Sequence, residues 1–298
     1  MAGIKEIRTR IASVTNTQKI TSAMKMVSAA KLRKAQQAVT RMRPYSEKLQ
    51  EILQNVSSGI ESNDGNPYAA VRNGEKILIV AVASNGGLCG GFNSNIGKAT
   101  IALVNGDCAG KAVTIYAIGK KLSEIFKAKQ IKVTKKFDYV YDALTYDNVA
   151  LIAGEIMNDF VAGTFDKIIV VYNSFKNAAT QIITEKQFLP IVQDASTSSL
   201  TAGSATGKQN FSRDYISEPS KEAIAIDLIP RSLKTQFYSM LLDSYASEHG
   251  ARMTAMHKAT DNAGEMLRSL RIEYNKARQA LITNEILEIV SGANALKG

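Results

Sequence analysis

The sequence predicts a mixed α/β chain. Two long terminal helices pair as an antiparallel coiled coil, and an open, mostly parallel α/β domain is inserted between them. Three observations carry this reading. Apolar residues step by three and four at both ends of the chain, strand-like and helix-like segments alternate through the middle, and the excess positive charge sits almost wholly in the first helix.

Residues 3–58 read as one helix. Ile4, Ile7, Ile11 and Val14 step by three and four, and a second run follows at Ala35, Ala38, Met42, Tyr45, Leu49, Ile52 and Val56. That alternation is a coiled-coil seam. The two runs are one residue out of phase across Thr15 to Lys34, which predicts a local change in winding. Pro44 should bend the helix or remove one hydrogen bond without necessarily ending it. Ser57-Ser58-Gly59 and the turn-forming run Ser62-Asn63-Asp64-Gly65-Asn66-Pro67 stop it.

The middle has a different rhythm. Residues 76–83, Lys-Ile-Leu-Ile-Val-Ala-Val-Ala, form the continuous apolar run of a strand buried on both faces. A glycine-rich turn and a helix near Asn93–Val104 follow. Further strands are expected at Ala112–Ile118, Ile131–Lys135, Lys167–Asn173 and Thr180–Pro190, with helices at Lys120–Lys129 and Asn148–Ala162. This alternation predicts a Rossmann-like open sheet. Residues 194–210 are rich in Ser, Thr, Gly and Ala and read as a loop.

From about Lys221 the helical pattern returns and tolerates Pro230. Met256, Thr260, Ala263, Leu267, Leu270, Tyr274, Ala277, Leu281 and Asn284 continue a three-four seam. A helix from 230 to 291 would be about 90 Å long, whereas the middle domain should have a radius of gyration of about 15 Å. The helix should therefore leave the globular part and pair with the first one. The expected domains are 1–58, 59–219 and 220–298.

Residues 1–58 hold 11 Lys/Arg against 3 Asp/Glu, while the rest of the chain is nearly balanced. Between Ile7 and Ser46 lie Arg8, Arg10, Lys19, Lys25, Lys31, Arg33, Lys34, Arg41 and Arg43, with no acidic residue. Such a stretch suits an acidic partner; the plainer alternative is a solvated helix face. No run of 18 apolar residues offers a transmembrane helix. The start of the chain lacks a signal-peptide pattern and reads as a soluble, intracellular protein. With two cysteines and two histidines, a disulfide scaffold, a Cys-based zinc site and most metal centres are excluded.

Catalytic motifs fail on spacing. The turn Asn85-Gly86-Gly87-Leu88-Cys89-Gly90-Gly91-Phe92-Asn93 lies where a dinucleotide would bind, but the third position from Gly86 is Leu88. Gly91 to Lys98 is one residue too long for a phosphate loop, and Ala99 follows the lysine. Cys89 has no base nearby in sequence and reads as a buried small residue. No catalytic, cofactor-binding or metal-binding residue is assigned.

The helical ends are richer. Thr17 to Leu32 is dominated by small residues and methionine, which permit close approach to another surface; the alternative is an ordinary coil core with small knobs. Glu285-Ile286-Leu287-Glu288-Ile289-Val290-Ser291-Gly292-Ala293 is apolar on several sides and predicts burial in a socket on another protein.

Several stretches, in order, resemble the gamma subunit of the F-type ATP synthase: Ile4 to Arg8, Asn16 to Thr21, Ala23 to Val27, Gly87 to Gly91, Ala251 to Met253, Ala259 to Ala263, Asn275 to Gln279 and Glu288 to Ala293. Asn85-Gly86 departs from the charged residues usual before Gly87. The cysteine-bearing regulatory segment of chloroplast members is absent, so no thiol switch is expected. The Met1 start is what a bacterial member would show.

The resemblance implies a non-catalytic rotor shaft without cofactors. Its coil would turn inside a hexamer of alternating alpha and beta subunits, which bind the nucleotide. Its α/β domain would face the epsilon subunit and the membrane ring of c subunits, on the cytoplasmic face of a bacterial inner membrane, with no insertion into the membrane. It implies that Met24, Lys25 and Arg252 lie near acidic loops of beta. Arg278, Gln279 and Thr283 would meet beta higher up, and Ile289, Val290 and Ala293 would sit in an apolar collar. Tyr215 and Glu218 would face the ring. Two other readings compete: a basic coiled coil binding nucleic acid, which predicts steep salt dependence but has no stacking aromatic before Tyr45, and a Rossmann-like enzyme that dimerises through its helices.

Overall fold

The structure is a computed structural model and describes residues 3–57, 67–70, 72, 75–191 and 221–295. The elements are α1 (Ile4–Ser57), β1 (Lys76–Val82), α2 (Phe92–Asn105), β2 (Ala112–Ile118), α3 (Lys120–Ala128), β3 (Lys135–Lys136), a 3-10 turn (Asp138–Tyr141), α4 (Tyr146–Val161), β4 (Lys167–Phe175), β5 (Gln181–Leu189) and α5 (Lys221–Ala295). Both long helices continue through their prolines, Pro44 and Pro230. The chain packs as two units: Met1–Ala30 with Arg252–Gly298, and Lys31–Ala251. The second unit therefore draws on helix on either side of the 59–219 span.

In that larger unit the sheet order is β3-β2-β1-β4-β5. The first four strands are parallel, and β5 returns antiparallel beside β4. The side chains of β1 alternate between two cores. Leu78, Val80 and Val82 join Ile152, Ile156 and Phe160 of α4 with Leu233, Phe237 and Leu241 of α5. Ile77, Ile79 and Ala81 join Ile96 and Leu103 of α2 with Leu122 and Phe126 of α3. Burial on both faces explains the unbroken apolar run of β1. Each fully buried Val, Leu, Ile or Phe among them contributes about 1.5–3 kcal/mol.

Local chemistry sets the joints. Gly119 has φ +106°, and a Cβ there would stand 2.3 Å from the Ala83 carbonyl oxygen, so only glycine fits between β2 and α3. Thr145 caps α4, accepting from the Asn148 N–H. The far end of α4 is closed by Arg72, whose guanidinium donates to the carbonyls of Phe160 (2.7 Å), Phe165 (3.3 Å) and Val161 (3.4 Å). A cation there also meets the negative end of the helix dipole. In the β4–β5 hairpin, Asn177 Oδ1 accepts from the N–H groups of Ala179 and Thr180.

The strand expected at Ile131–Lys135 is a correction. Only Lys135 and Lys136 join the ladder, opposite Tyr116 and Ala117. The chain turns at Gln130 with φ +57°, and Ile131 and Val133 pack against the α2–α3 core instead of pairing along the sheet.

The smaller unit is a two-helix antiparallel coil. Its cross-helix contacts are Arg8 with Tyr274, Gln18 with Gly264, Thr21 with Thr260, and Lys25 with His257. The two numbers of each pair add to 281 or 282, so the register is constant. The predicted change in winding is also corrected. Half-burial or burial follows one uninterrupted stepping through Ile7, Ile11, Val14, Gln18, Thr21, Lys25 and Ser28, and the same stepping leads on to Leu32 and Ala35. As far as Ala35 the seam does not shift; polar and small residues occupy it where an apolar count loses it.

Candidate partner-binding surfaces

The C-terminal part of α5 outruns its partner helix. The constant register sets Ile4, the first residue of α1, opposite Arg278. From Arg278 through Asn294 every residue of α5 is exposed. Leu281, Ile282, Ile286, Leu287, Ile289 and Val290 are among them, with Ile289 71% exposed. At 100° per residue, Ile282, Ile286, Leu287, Ile289, Val290 and Ala293 cover about 160° of the helix. Asn284, Glu285 and Glu288 lie on the other side together with Leu281, and Thr283 is a polar residue within the arc. An apolar arc this wide is unusual on a solvent-facing helix. Thr283 Oγ is already turned inward, donating to the Gln279 carbonyl at 2.9 Å, while the side chains of Arg278 and Gln279 stand free in solvent.

A second surface lies lower on the coil. Ile20, Met26 and Val27 are exposed. On a helical projection, Ile20 and Val27 stack with Ala23 and Ala30 on the face opposite the seam. Met24 is half-buried between that face and the seam, Lys25 is half-buried in the seam, and Arg252 on α5 is half-buried too. Lys25 Nζ lies 3.4 Å from His257 Nδ1, and that atom lies 3.2 Å from Asp261 Oδ2. Arg8, Arg10, Lys19, Lys31, Arg33, Lys34 and Arg41 are all exposed. Near the α1 start, Arg8 donates to the Tyr274 hydroxyl at 3.0 Å. This bond and the guanidinium charge hold the Tyr274 phenol below its usual range. Tyr215 and Glu218 lie outside the described residues.

The glycine-rich turn after β1 spends its polar groups on itself and on neighbouring backbone. Asn93 Oδ1 accepts from both the N–H and the hydroxyl of Ser84. Asn93 Nδ2 donates to the Gly86 carbonyl and to Cys89 Sγ. Asn85 bridges the Asp138 carbonyl and the Lys120 N–H. Cys89 is buried with Phe92 and Ala251. Its geometry is that of a structural joint. Among the described residues, no three His, Cys, Asp or Glu side chains gather as metal ligands.

Sequence reasoning missed how residues 244–251 of α5 key into the α/β fold. Tyr245 stacks on Tyr141, with ring centroids 6.1 Å apart, and meets His249 edge-on. Ser247 donates to the buried Asn173 carbonyl at 3.1 Å. A Cβ on Gly250 would stand 3.2 Å from the Ala178 backbone. The available signal was the small-residue spacing Ser247, Gly250, Ala251, which lets helix and hairpin approach closely.

The described residues define one class of chain: a long two-helix coil, an inserted α/β unit and an exposed apolar helix end. The family model described as ATP synthase matches residues 3–296. The chain is 55% identical to the ATP synthase gamma chain of Flavobacterium psychrophilum over 298 residues, covering all of both chains. It is 42% identical to that of Geotalea uraniireducens, again with full coverage of both. A chain of the Euglena gracilis mitochondrial ATP synthase OSCP/F1/c-ring structure matches the fold with TM-score 0.65 and 22% identity, over 98% of this chain and 94% of that one. A rotor chain of the same organism's enzyme gives TM-score 0.63 and 21% identity, over 94% and 98%. This protein belongs to the ATP synthase gamma chain family.

Proposed function

We propose that the chain is the rotor shaft of an F-type ATP synthase. It passes rotation of a c-ring to an alpha-beta hexamer during proton-driven ATP synthesis, and it carries no catalytic site of its own. The observation that carries this is family membership along the whole chain, joined to a helix end that is apolar over a wide arc and, among the described residues, has no partner in the coil. The family assignment favours this reading over a nucleic-acid-binding coil.

In this reading Ile289, Val290 and Ala293 turn inside an apolar collar, and Arg278, Gln279 and Thr283 meet beta below it. Met24, Lys25 and Arg252, with the exposed basic residues of α1, face acidic loops of beta. The α/β unit faces epsilon and the c-ring, with Tyr215 and Glu218 toward the ring, at the cytoplasmic face of a bacterial inner membrane. Among the described residues, no helix is long and apolar enough to cross a membrane. A shaft must carry torque yet slide. Deep charge pairs would hold it at one angle, since stripping a buried partner costs about 3–5 kcal/mol. An apolar tip with its two glutamates on one side avoids that cost.

The test is reconstitution of purified alpha and beta with the full chain, and with a chain truncated after Asn284. The reading requires one copy per three alpha-beta pairs and turnover above the chain-free mixture, with the truncation weaker. Failure of the full chain to join the hexamer or change turnover would overturn it.

A further inference from the structure

His257 occupies a position that no helix-pairing argument requires. It is exposed on α5, off the seam, and its Nδ1 atom is claimed from two sides. Lys25 Nζ of α1 stands 3.4 Å away, and Asp261 Oδ2, one turn further along α5, stands 3.2 Å away. One nitrogen cannot satisfy both. To accept from the Lys25 ammonium, Nδ1 must present its lone pair. To bond the Asp261 carboxylate, Nδ1 must carry a proton. The two contacts exclude each other, and the proton on Nδ1 decides between them.

We propose that His257 is a proton-controlled latch on Lys25. With the ring neutral and its proton on Nε2, Nδ1 accepts from Lys25 and holds the ammonium against the coil. When the ring takes a proton from solvent onto Nδ1, it donates to Asp261, and Lys25 faces a second cation in place of an acceptor. Lys25 then swings into solvent. Imidazole is the side chain whose ordinary charge change lies nearest neutrality, which makes a ring nitrogen suited to this role.

The surroundings support a simple two-sided contest. From α1 the charged group facing His257 is Lys25; its seam neighbours Thr21 and Ser28 are uncharged. On α5 the charged neighbour one turn ahead is Asp261 and Lys258 follows directly in the helix, while Met253 and Thr254, one turn back, are uncharged. Asp261 in turn lines a cleft of about 470 Å³ with Gln18, Glu265, Arg268 and Arg271. The carboxylate is therefore held near other charges whichever state the ring is in. The consequence for a partner rests on the reading that Lys25 meets an acidic surface: the latch would meter how far Lys25 reaches toward it.

Two measurements separate the latch from that reading. The chain has only two histidines, so histidine-selective ¹⁵N labelling of the full chain gives two ring systems, and His257→Gln assigns them. At pH 8.5 the latch requires His257 with its proton on Nε2. Lys25→Met should then move the neutral ring toward the Nδ1–H form by about 1.4- to 5-fold, the range for exposed charged contacts. An Nδ1–H ring at pH 8.5 in the wild type, or no response to Lys25→Met, overturns the latch. The second measurement is turnover of the reconstituted complex from pH 5.5 to 8.5, wild type against His257→Asn, which offers Lys25 an acceptor that does not titrate. Profiles that coincide above pH 8 and separate below about pH 6 support control of the partner contact. Profiles parallel throughout, with the ring behaving as required, overturn that control and leave the latch standing.

Discussion

Gly250, Gly264 and Gly292 all lie inside α5, so replacing each by alanine starts from the same backbone gain of about 0.8–1 kcal/mol. What the new methyl meets decides the sign. At Gly250 it meets the Cα and carbonyl oxygen of Ala178, each at 3.2 Å. These are backbone atoms of a hairpin pinned by Asn177, and they cannot rotate away. Overpacking of about 1–3 kcal/mol exceeds the gain, so Gly250→Ala should destabilise by up to about 2 kcal/mol. At Gly264 the methyl meets Gln18 Nε2 at 3.3 Å, the free end of a flexible side chain, and at Gly292 it meets nothing within 4 Å. Both should stabilise, by up to about 1 kcal/mol. Hydrogen exchange read by mass spectrometry suits a chain of two units, because it reports each segment separately. Faster exchange at 244–251 in Gly250→Ala, and slower exchange around 264 and 292 in the other two, is the expected pattern. Equal or stronger protection of 244–251 in Gly250→Ala would refute the claim that this helix is keyed rigidly against the hairpin.

Other outcomes follow from the same structure. Asn93→Leu strands the buried Ser84 N–H and should cost about 1–3 kcal/mol, seen as a lower denaturant midpoint without loss of the coil's helicity. Glu155 raises the Lys135 ammonium above its usual range. The Lys135 contribution is therefore complete below about pH 10.4, where unfolded lysine holds its proton, and is lost as pH rises through the higher folded value. Both partners are more than a third exposed, so Glu155→Gln should cost only about 0.2–1 kcal/mol at pH 7, and the gap to wild type should shrink above pH 11 in denaturation series. Cys89 and Cys108 are both 2% exposed, and burial pushes the Cys108 thiol up. Neither should react with a water-soluble thiol reagent until the chain is unfolded, and labelling of the native chain within minutes would contradict this.

Much of the fold was legible because period and burial agree. The run Ile77 to Val82 reads as a doubly covered strand, and the structure covers it from both sides. Met256, Ala263, Leu267 and Leu270 read as a seam and are buried. Legibility ended where the structure departs from apolar bookkeeping. The α1 seam at Gln18, Thr21, Lys25 and Ser28 is polar or small, so it looked like a slipped register. Ile131 and Val133 look like a strand but pack sideways. Arg72 caps a helix 88 residues away, a partnership no local pattern encodes. On the candidate surfaces, the apolar residues at the end of α5 were visible as a pattern, and the structure leaves them exposed. The His257 contest was not, because it needs two helices in register before one nitrogen can face both neighbours.

The central claim is that this chain turns inside a hexamer. Because both native cysteines are buried, Leu151→Cys on α4, 73% exposed in the native chain, offers a single attachment point. A bead or rod fixed there, with the alpha-beta hexamer anchored to glass, should rotate in one direction when ATP is added and stop when ATP is removed. A stable complex that hydrolyses ATP while the probe stays still would contradict the account.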